Sequence, residues 1–324
     1  MQINNFTQYL FFMSKFTIAI HGGAGTILKS MLTPELELSY HIGLQDALNA
    51  GYHILEKGGF SIDAVQAAVV SLENNILFNA GKGSVFTNKG IHEMDACLME
   101  GKNLEAGSVA GVRSVKNPIL LCSEIMQHSG HVLLSGQGAQ DFAVLRGMEL
   151  LPEDYFYSEY RYNQWQEIKD SELYLLDHKE NVGGPDKKFG TVGAVALDVH
   201  GNVAAATSTG GMTNKRYGRL GDSCIVGIGN YANNKTCAVS CTGHGEFFIR
   251  SVVAYDVSCL MEYKGMNLKD ACEKVVLDKL VKIEGEGGLI AVDTLGSYEL
   301  CFNSEGMYRG AKTCDGINVV GIYK

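Results

Sequence analysis

The chain has 324 residues, 46% of them hydrophobic and 19% charged, with 39 glycines and only four prolines. That length buries roughly three quarters of the unfolded surface, and the scarcity of proline argues against collagen or a proline-rich tract. No apolar run reaches the 18 residues of a membrane-spanning helix. Lys and Arg minus Asp and Glu gives 27 − 36 = −9, which argues against a nucleic-acid-binding surface, since phosphate neutralisation needs a basic footprint.

Residues 1–12 precede a second methionine, Met13, and read as an extension, with the start at Met1 or Met13. They carry neither a basic n-region nor an apolar h-region, so no secretory leader is expected. Nine cysteines, an odd number without a CxxC pair, read as buried apolar residues in a reducing cytoplasm. Residues 16–20 alternate as a strand and run into His21-Gly22-Gly23-Ala24-Gly25, which reads as a tight glycine loop. Apolar periodicity predicts helices over 42–58 and 62–74, the second capped by Ser61. Strands are expected at 91–98 and 105–112, and a helix at 135–147. The composition of 153–189 changes, ending in the polar NVGGPDKKFG, and predicts a mobile or weakly ordered surface segment. Period-two alternation then predicts a hairpin of strands 191–199 and 202–209 around His200-Gly201-Asn202. Strands at 222–228 and 236–241, helices at 246–263 and 267–283, and strands at 288–293 and 298–302 complete the chain. Strands and helices are grouped rather than alternating, which favours an α+β layered architecture over a doubly wound sheet.

Several constellations could carry chemistry. In Phe189-Gly190-Thr191-Val192-Gly193 a polar tail meets a buried strand at a Gly-Thr pair. Cutting that bond would give Thr191 a free α-amine with a pKa of about 8, making it a nucleophile that carries its own general base. The alternative is a β-branched residue starting a strand. The hairpin would bring Thr209 close to Thr191. Arg219 and Asp222 stand three apart in a glycine-rich loop; a guanidinium matches a carboxylate and an aspartate suits an ammonium, or the two form a local salt bridge. Thr242-Gly243-His244-Gly245-Glu246 joins a strand to a helix, where a hydroxyl and a glycine N–H suit an oxyanion or a phosphate. His244 is a weaker candidate base, and Cys237 with Cys241 is a weak zinc signal. HGGAG lacks the spacing of a dinucleotide site. Residues 72–83 read as a loop of backbone carbonyls that binds a cation or merely turns the chain.

Taken together, FTIAIHGGAGT, FNAGKGSVFT with HEMDACLMEG, GTVGAVALD, AAATSTGGMTNKRYGRLGDS and CAVSCTGHGEFFIR resemble the plant-type asparaginase and isoaspartyl peptidase family of N-terminal nucleophile hydrolases. The resemblance runs in order from about residue 16 to 250. It implies a four-layer αββα sandwich made as a precursor that cuts itself between Gly190 and Thr191. The products would be an α subunit over 13–190, with the extension before it, and a β subunit over 191–324, together forming one domain and pairing as (αβ)₂. In that scheme Thr191 attacks the side-chain carbonyl of L-asparagine or of a β-aspartyl dipeptide, supported by Thr209. Thr242 and Gly243 form the oxyanion hole, Arg219 holds the substrate α-carboxylate, Asp222 its α-ammonium, and Asn79 lies near the site. No cofactor is required for the chemistry. The backbone carbonyls of Leu72, Glu73, Asn75, Phe78, Ala80 and Lys82 match a sodium-binding segment. Glycosylasparaginases carry Asp where Gly190 stands, so the Gly-Thr pair points to the asparaginase branch. A glycosylasparaginase-like hydrolase and an unprocessed, non-catalytic family member are the alternatives.

Overall fold

The computed structural model describes residues 15–170 and 190–324, so the extension before Met13 and residues 171–189 of the expected mobile segment lie outside it. In chain order the elements are β1 (Thr17–Gly25), α1 (Pro34–Glu56), α2 (Ser61–Glu73), β2 (Met94–Glu100), β3 (Ala106–Val112), α3 (Pro118–His128), β4 (Leu133–Ser135), α4 (Gly136–Leu145) and α5 (Glu159–Ile168). After residue 190 come β5 (Thr191–Leu197), β6 (Val203–Thr209), β7 (Asn230–Ala232), β8 (Cys237–Gly243), α6 (Gly245–Ser251), α7 (Val253–Lys264), α8 (Leu268–Glu273) and α9 (Leu280–Lys282). Strands β9 (Gly287–Asp293), β10 (Tyr298–Phe302), β11 (Gly306–Thr313) and β12 (Asn318–Tyr323) follow. The protein is a mixed α+β structure, as the grouping of its strands and helices implies.

Eight strands form one sheet in the order β12-β11-β1-β5-β6-β2-β3-β4, antiparallel except where β3 meets β4, and β10-β9-β8-β7 form a second. Alternate residues of the central strands face two different cores. Val192, Ala194 and Ala206 pack with Leu44, Leu48 and Val69 of α1 and α2. Val195, Leu197 and Ala205 face the second sheet and pack in a cluster with Val239, Leu289 and Ala291, to which Val257 and Ala271 of α7 and α8 also belong.

Several expectations need correction. His21 to Gly25 is no loop: after a bulge between His21 and Gly23, the strand continues, pairing Ala24 with Met307. The glycines serve close packing, since a Cβ on Gly22 would lie 2.5 Å from the Phe78 ring. Helix α1 begins eight residues before the expected 42, where Thr33 accepts the Leu36 N–H and Pro34 occupies the first turn. Ser61 is the first helical residue of α2 rather than its cap, and its N–H is taken instead by Asp198 at 2.9 Å. Residues 153–170 are not a loose segment: α5 docks through Trp165, stacked on Phe86, and through buried Arg161, which donates to the Gly83 carbonyl. Residues 222–228 form turns instead of a strand. The expected helix 246–263 breaks at Val252, which takes a left-handed φ of 52°, and the helix 267–283 contains a π-helical segment, Lys274–Lys279. Helix α3 and strands β4, β7, β11 and β12 lie outside the expected elements.

Candidate active site

The hairpin sets Thr191, the first residue of β5, directly opposite Thr209, the last of β6. The Thr191 hydroxyl donates to Thr209 Oγ1 at 3.3 Å and lies 3.4 Å from Ser223 Oγ. Thr209 in turn donates to the Gly190 carbonyl at 3.3 Å and accepts the Gly211 N–H at 3.0 Å. The second threonine therefore touches both the nucleophile candidate and the carbonyl of the bond in front of it.

Asn79 is woven into the same place. Its backbone carbonyl accepts the Gly210 N–H, its Nδ2 donates to the Gly211 carbonyl at 2.7 Å, and its Oδ1 accepts from Val85. Gly190 lies against it so closely that a Cβ there would come within 2.6 Å of Asn79 Cβ. Close approach, rather than a left-handed φ, is what demands glycine at that position.

Thr191, Thr209, Gly190, Arg219, Asp222 and Gly243 all line one pocket of about 20 Å³, room for about one water. The structure thus brings the two halves of the expected amino-acid clamp to the nucleophile candidate. It does not pair them with each other. Arg219 Nε and Nη2 donate to Glu246 Oε1 and Oε2 at 2.9 and 2.8 Å, a bidentate ion pair that the sequence reading did not contain. Burial works against the Glu246 charge, but hydrogen bonds from His244 and Arg219 hold its carboxyl well below the usual range. His244 Nε2 stands 3.3 Å from Glu246, so this histidine sits beside the Arg219–Glu246 pair. Asp222 is buried, and its Oδ2 has no hydrogen-bond partner among the described residues. Desolvation pushes its pKa up to about 7 against the pull of Arg219.

Gly243 reaches the pocket with a φ of 150°, where a Cβ would meet the Glu286 carbonyl at 2.5 Å. Thr242 stands one residue behind it. It is fully buried, its hydroxyl oxygen accepts the Ala24 N–H at 3.3 Å, and it is not among the lining residues.

A buried polar chain behind the nucleophile candidate escaped the sequence reading. His21 Nδ1 lies 2.9 Å from the Thr191 carbonyl and its Nε2 lies 2.9 Å from Ser240 Oγ. A carbonyl only accepts, so Nδ1 carries the hydrogen and Nε2 accepts from Ser240. Ser240 then accepts from Thr207 at 2.7 Å, and Thr207 from Asn230 Nδ2 at 2.9 Å. Burial lowers the His21 pKa to about 3, which keeps the ring neutral, as this chain of donors requires. Gly193 makes the arrangement fit, because a Cβ there would lie 2.0 Å from Ser240 Oγ. The only sequence signal was the glycine two residues after the threonine.

In the loop after α2, the Asn75, Phe78 and Ala80 carbonyls each accept one N–H, leaving a lone pair apiece, while the Leu72 carbonyl in the last turn of α2 takes the Asn74 and Asn75 N–H groups. Cβ atoms on Gly81 and Gly83 would lie 2.5 Å from the Glu73 carbonyl and 2.1 Å from that of Phe78, so these oxygens turn onto bare glycine backbone. The Glu73 carboxyl faces away, bonded to Ser208, Asn117 and the Ile119 N–H, and burial raises its pKa to about 7. Among the described residues no His, Cys, Asp and Glu cluster could hold a metal ion, and Cys237 and Cys241 are buried free thiols.

The family model described as "Asparaginase" matches residues 14–322. The chain belongs to the asparaginase family. Within it, the isoaspartyl peptidase of Salmonella typhimurium is 50% identical over 312 residues, covering 96% of this chain and 100% of that protein. The probable isoaspartyl peptidase/L-asparaginase 2 of Arabidopsis thaliana is 39% identical over 96% of this chain and 100% of its own length. The isoaspartyl peptidase/L-asparaginase of Homo sapiens is 39% identical, covering 90% and 91%. As an asparaginase-family member the chain is a hydrolase. No helix among its described residues is long and apolar enough to cross a membrane.

Proposed function

We propose that this asparaginase-family chain is a self-processing isoaspartyl peptidase and L-asparaginase, an αββα sandwich of the N-terminal nucleophile type with Thr191 as nucleophile. The observation that supports it best is the Thr191 hydroxyl standing between Thr209 and Ser223, on the pocket that Arg219 and Asp222 share. In the uncut chain Thr191 Oγ1 adds to the Gly190 carbonyl, which Thr209 polarises through its hydrogen bond. The bond to nitrogen breaks, and water hydrolyses the resulting ester. An α subunit ending at Gly190 and a β subunit beginning at Thr191 remain, and they assemble as (αβ)₂. Gly190 is itself part of the pocket lining, so withdrawal of the new Gly190 terminus after the cut widens the space for substrate.

In the matured site the Thr191 amine takes the hydroxyl proton and Oγ1 attacks the side-chain carbonyl of asparagine or of a β-aspartyl dipeptide. The Gly243 N–H, backed by Thr242, stabilises the oxyanion. Ammonia or the peptide amine leaves with the proton, and water releases aspartate from the acyl-enzyme. Arg219 holds the substrate α-carboxylate and Asp222 its α-ammonium, so a β-linked aspartyl unit with both groups free fits and an internal aspartyl residue does not. The carbonyls of Leu72, Glu73, Asn75, Phe78, Ala80 and Lys82 would hold a sodium ion, whose hard charge suits neutral oxygen donors, and which would brace the loop carrying Asn79. Nine free thiols suit a reducing cytoplasm.

Denaturing electrophoresis tests the scheme. Purified protein is expected to resolve into two bands on incubation, while Thr191→Ala stays full-length and hydrolyses neither asparagine nor a β-aspartyl dipeptide. Cutting or hydrolysis by Thr191→Ala would place the nucleophile elsewhere.

A further inference from the structure

A guanidinium offers two edges that can each grip a carboxylate with parallel hydrogen bonds, the Nε–Nη2 side and the Nη1–Nη2 end. In this chain the side edge is taken by Glu246, with both bonds at ordinary length, 2.9 and 2.8 Å. The end edge is kept clear by two glycines. A Cβ on Gly221 would lie 2.9 Å from Nη1, and one on Gly245 would lie 2.9 Å from both Nη2 and Asp222 Oδ1. Glu246 is itself held from behind by His244, 3.3 Å away, whose ring packs edge-on against Phe247.

We propose that Glu246 is a positioning residue for the substrate α-carboxylate: it occupies the side edge of Arg219, fixes the guanidinium plane and leaves only the end edge for the ligand. The inference deepens the amidohydrolase reading and rests on it. It also bears on selectivity. Glu246 already balances the Arg219 charge, so a ligand carboxylate meets a directional donor pair rather than an unopposed cation. With Asp222 beside it, the trio favours a ligand whose carboxylate is accompanied by an ammonium group over a simple anion.

A perturbation cycle on the matured enzyme decides the matter. The two substrates are a β-aspartyl dipeptide with the aspartyl α-carboxylate free and the same dipeptide with that group converted to a carboxamide. Glu246→Gln is expected to raise KM for the free acid about tenfold while kcat stays within twofold, the signature of lost uniform binding. For the carboxamide KM should move less than twofold. Equal losses on both substrates, or a loss confined to kcat, would show a merely structural role and overturn the proposal, as would no loss on either. If Glu246→Gln does not mature, Glu246→Asp, which keeps the charge on a shorter stem, is measured on the same pair. A smaller loss confined to the free acid supports the proposal and a uniform loss overturns it. An unmutated enzyme that leaves the free-acid dipeptide intact would instead refute the amidohydrolase reading itself.

Discussion

Replacing His21 by leucine tests whether the buried chain behind Thr191 depends on a neutral imidazole. At neutral pH the substitution takes the imidazole partner from two buried groups, the Thr191 carbonyl and the Ser240 hydroxyl, the latter keeping its bond to Thr207. Each lost bond costs about 1–3 kcal/mol, so a loss of about 2–6 kcal/mol is expected. The pH dependence is more diagnostic. His21 protonates at about 3 in the folded protein, against 6.5 for the ordinary side chain. Between those values the unfolded chain binds the extra proton, so the wild type loses about 1.4 kcal/mol of stability for each unit that the pH falls. Leucine binds no proton, and the contributions of Glu73 and Asp222 are common to both proteins and cancel in the difference. The gap between variant and wild type should therefore shrink by about 2–3 kcal/mol from pH 7.5 to 4.5. Urea denaturation at a series of pH values measures it, in a Thr191→Ala background that keeps each protein a single chain. A gap that stays constant with pH would refute the reasoning, because His21 would then titrate alike in both states.

Two further substitutions probe the frame around the site. Asp198 is buried and accepts the N–H groups of Ser61, His200 and Asn202, tying α2 to the turn of the β5–β6 hairpin. Asp198→Ala should cost about 2–4 kcal/mol, read as a Tm lowered by roughly 3–6 °C for a chain of this length; an unchanged Tm would show that these bonds add nothing to stability. Gly83→Ala would drive a Cβ to 2.1 Å from the Phe78 carbonyl, backbone that cannot swing aside. A loss of about 1–3 kcal/mol with slowed self-cleavage is expected, since the loop also carries Asn79. Wild-type Tm and cleavage would mean that the loop yields freely.

Much of the site was legible in the residues because it is local. The alternation over 191–209 and the His-Gly-Asn turn set the hairpin register, and register alone places Thr209 opposite Thr191. The family motifs that carry Arg219, Asp222 and Gly243 are short runs whose residues end up on one pocket. HGGAG misled for the opposite reason. Glycines signal turns in a single sequence, but here they admit Phe78 and neighbouring strands from far along the chain, which no window of sequence contains. Strands β11 and β12 were missed because GMYRGAKT and NVVGIY lack clean alternation, and it is pairing with β1 and with each other that makes them strands.

What the sequence determined by itself was the α+β class and a candidate chemistry: a threonine behind a glycine at a strand start, and an arginine and an aspartate proposed for a zwitterion. What only the tertiary structure decided was who partners whom. The imidazole of His21 meets a hydroxyl 219 residues away, and Arg219 pairs with Glu246 rather than with the aspartate three positions on. Burial is the physical reason. It makes an unpaired donor or charge costly, and which groups share a buried place is fixed by the packing of the sheets and not by distance along the chain.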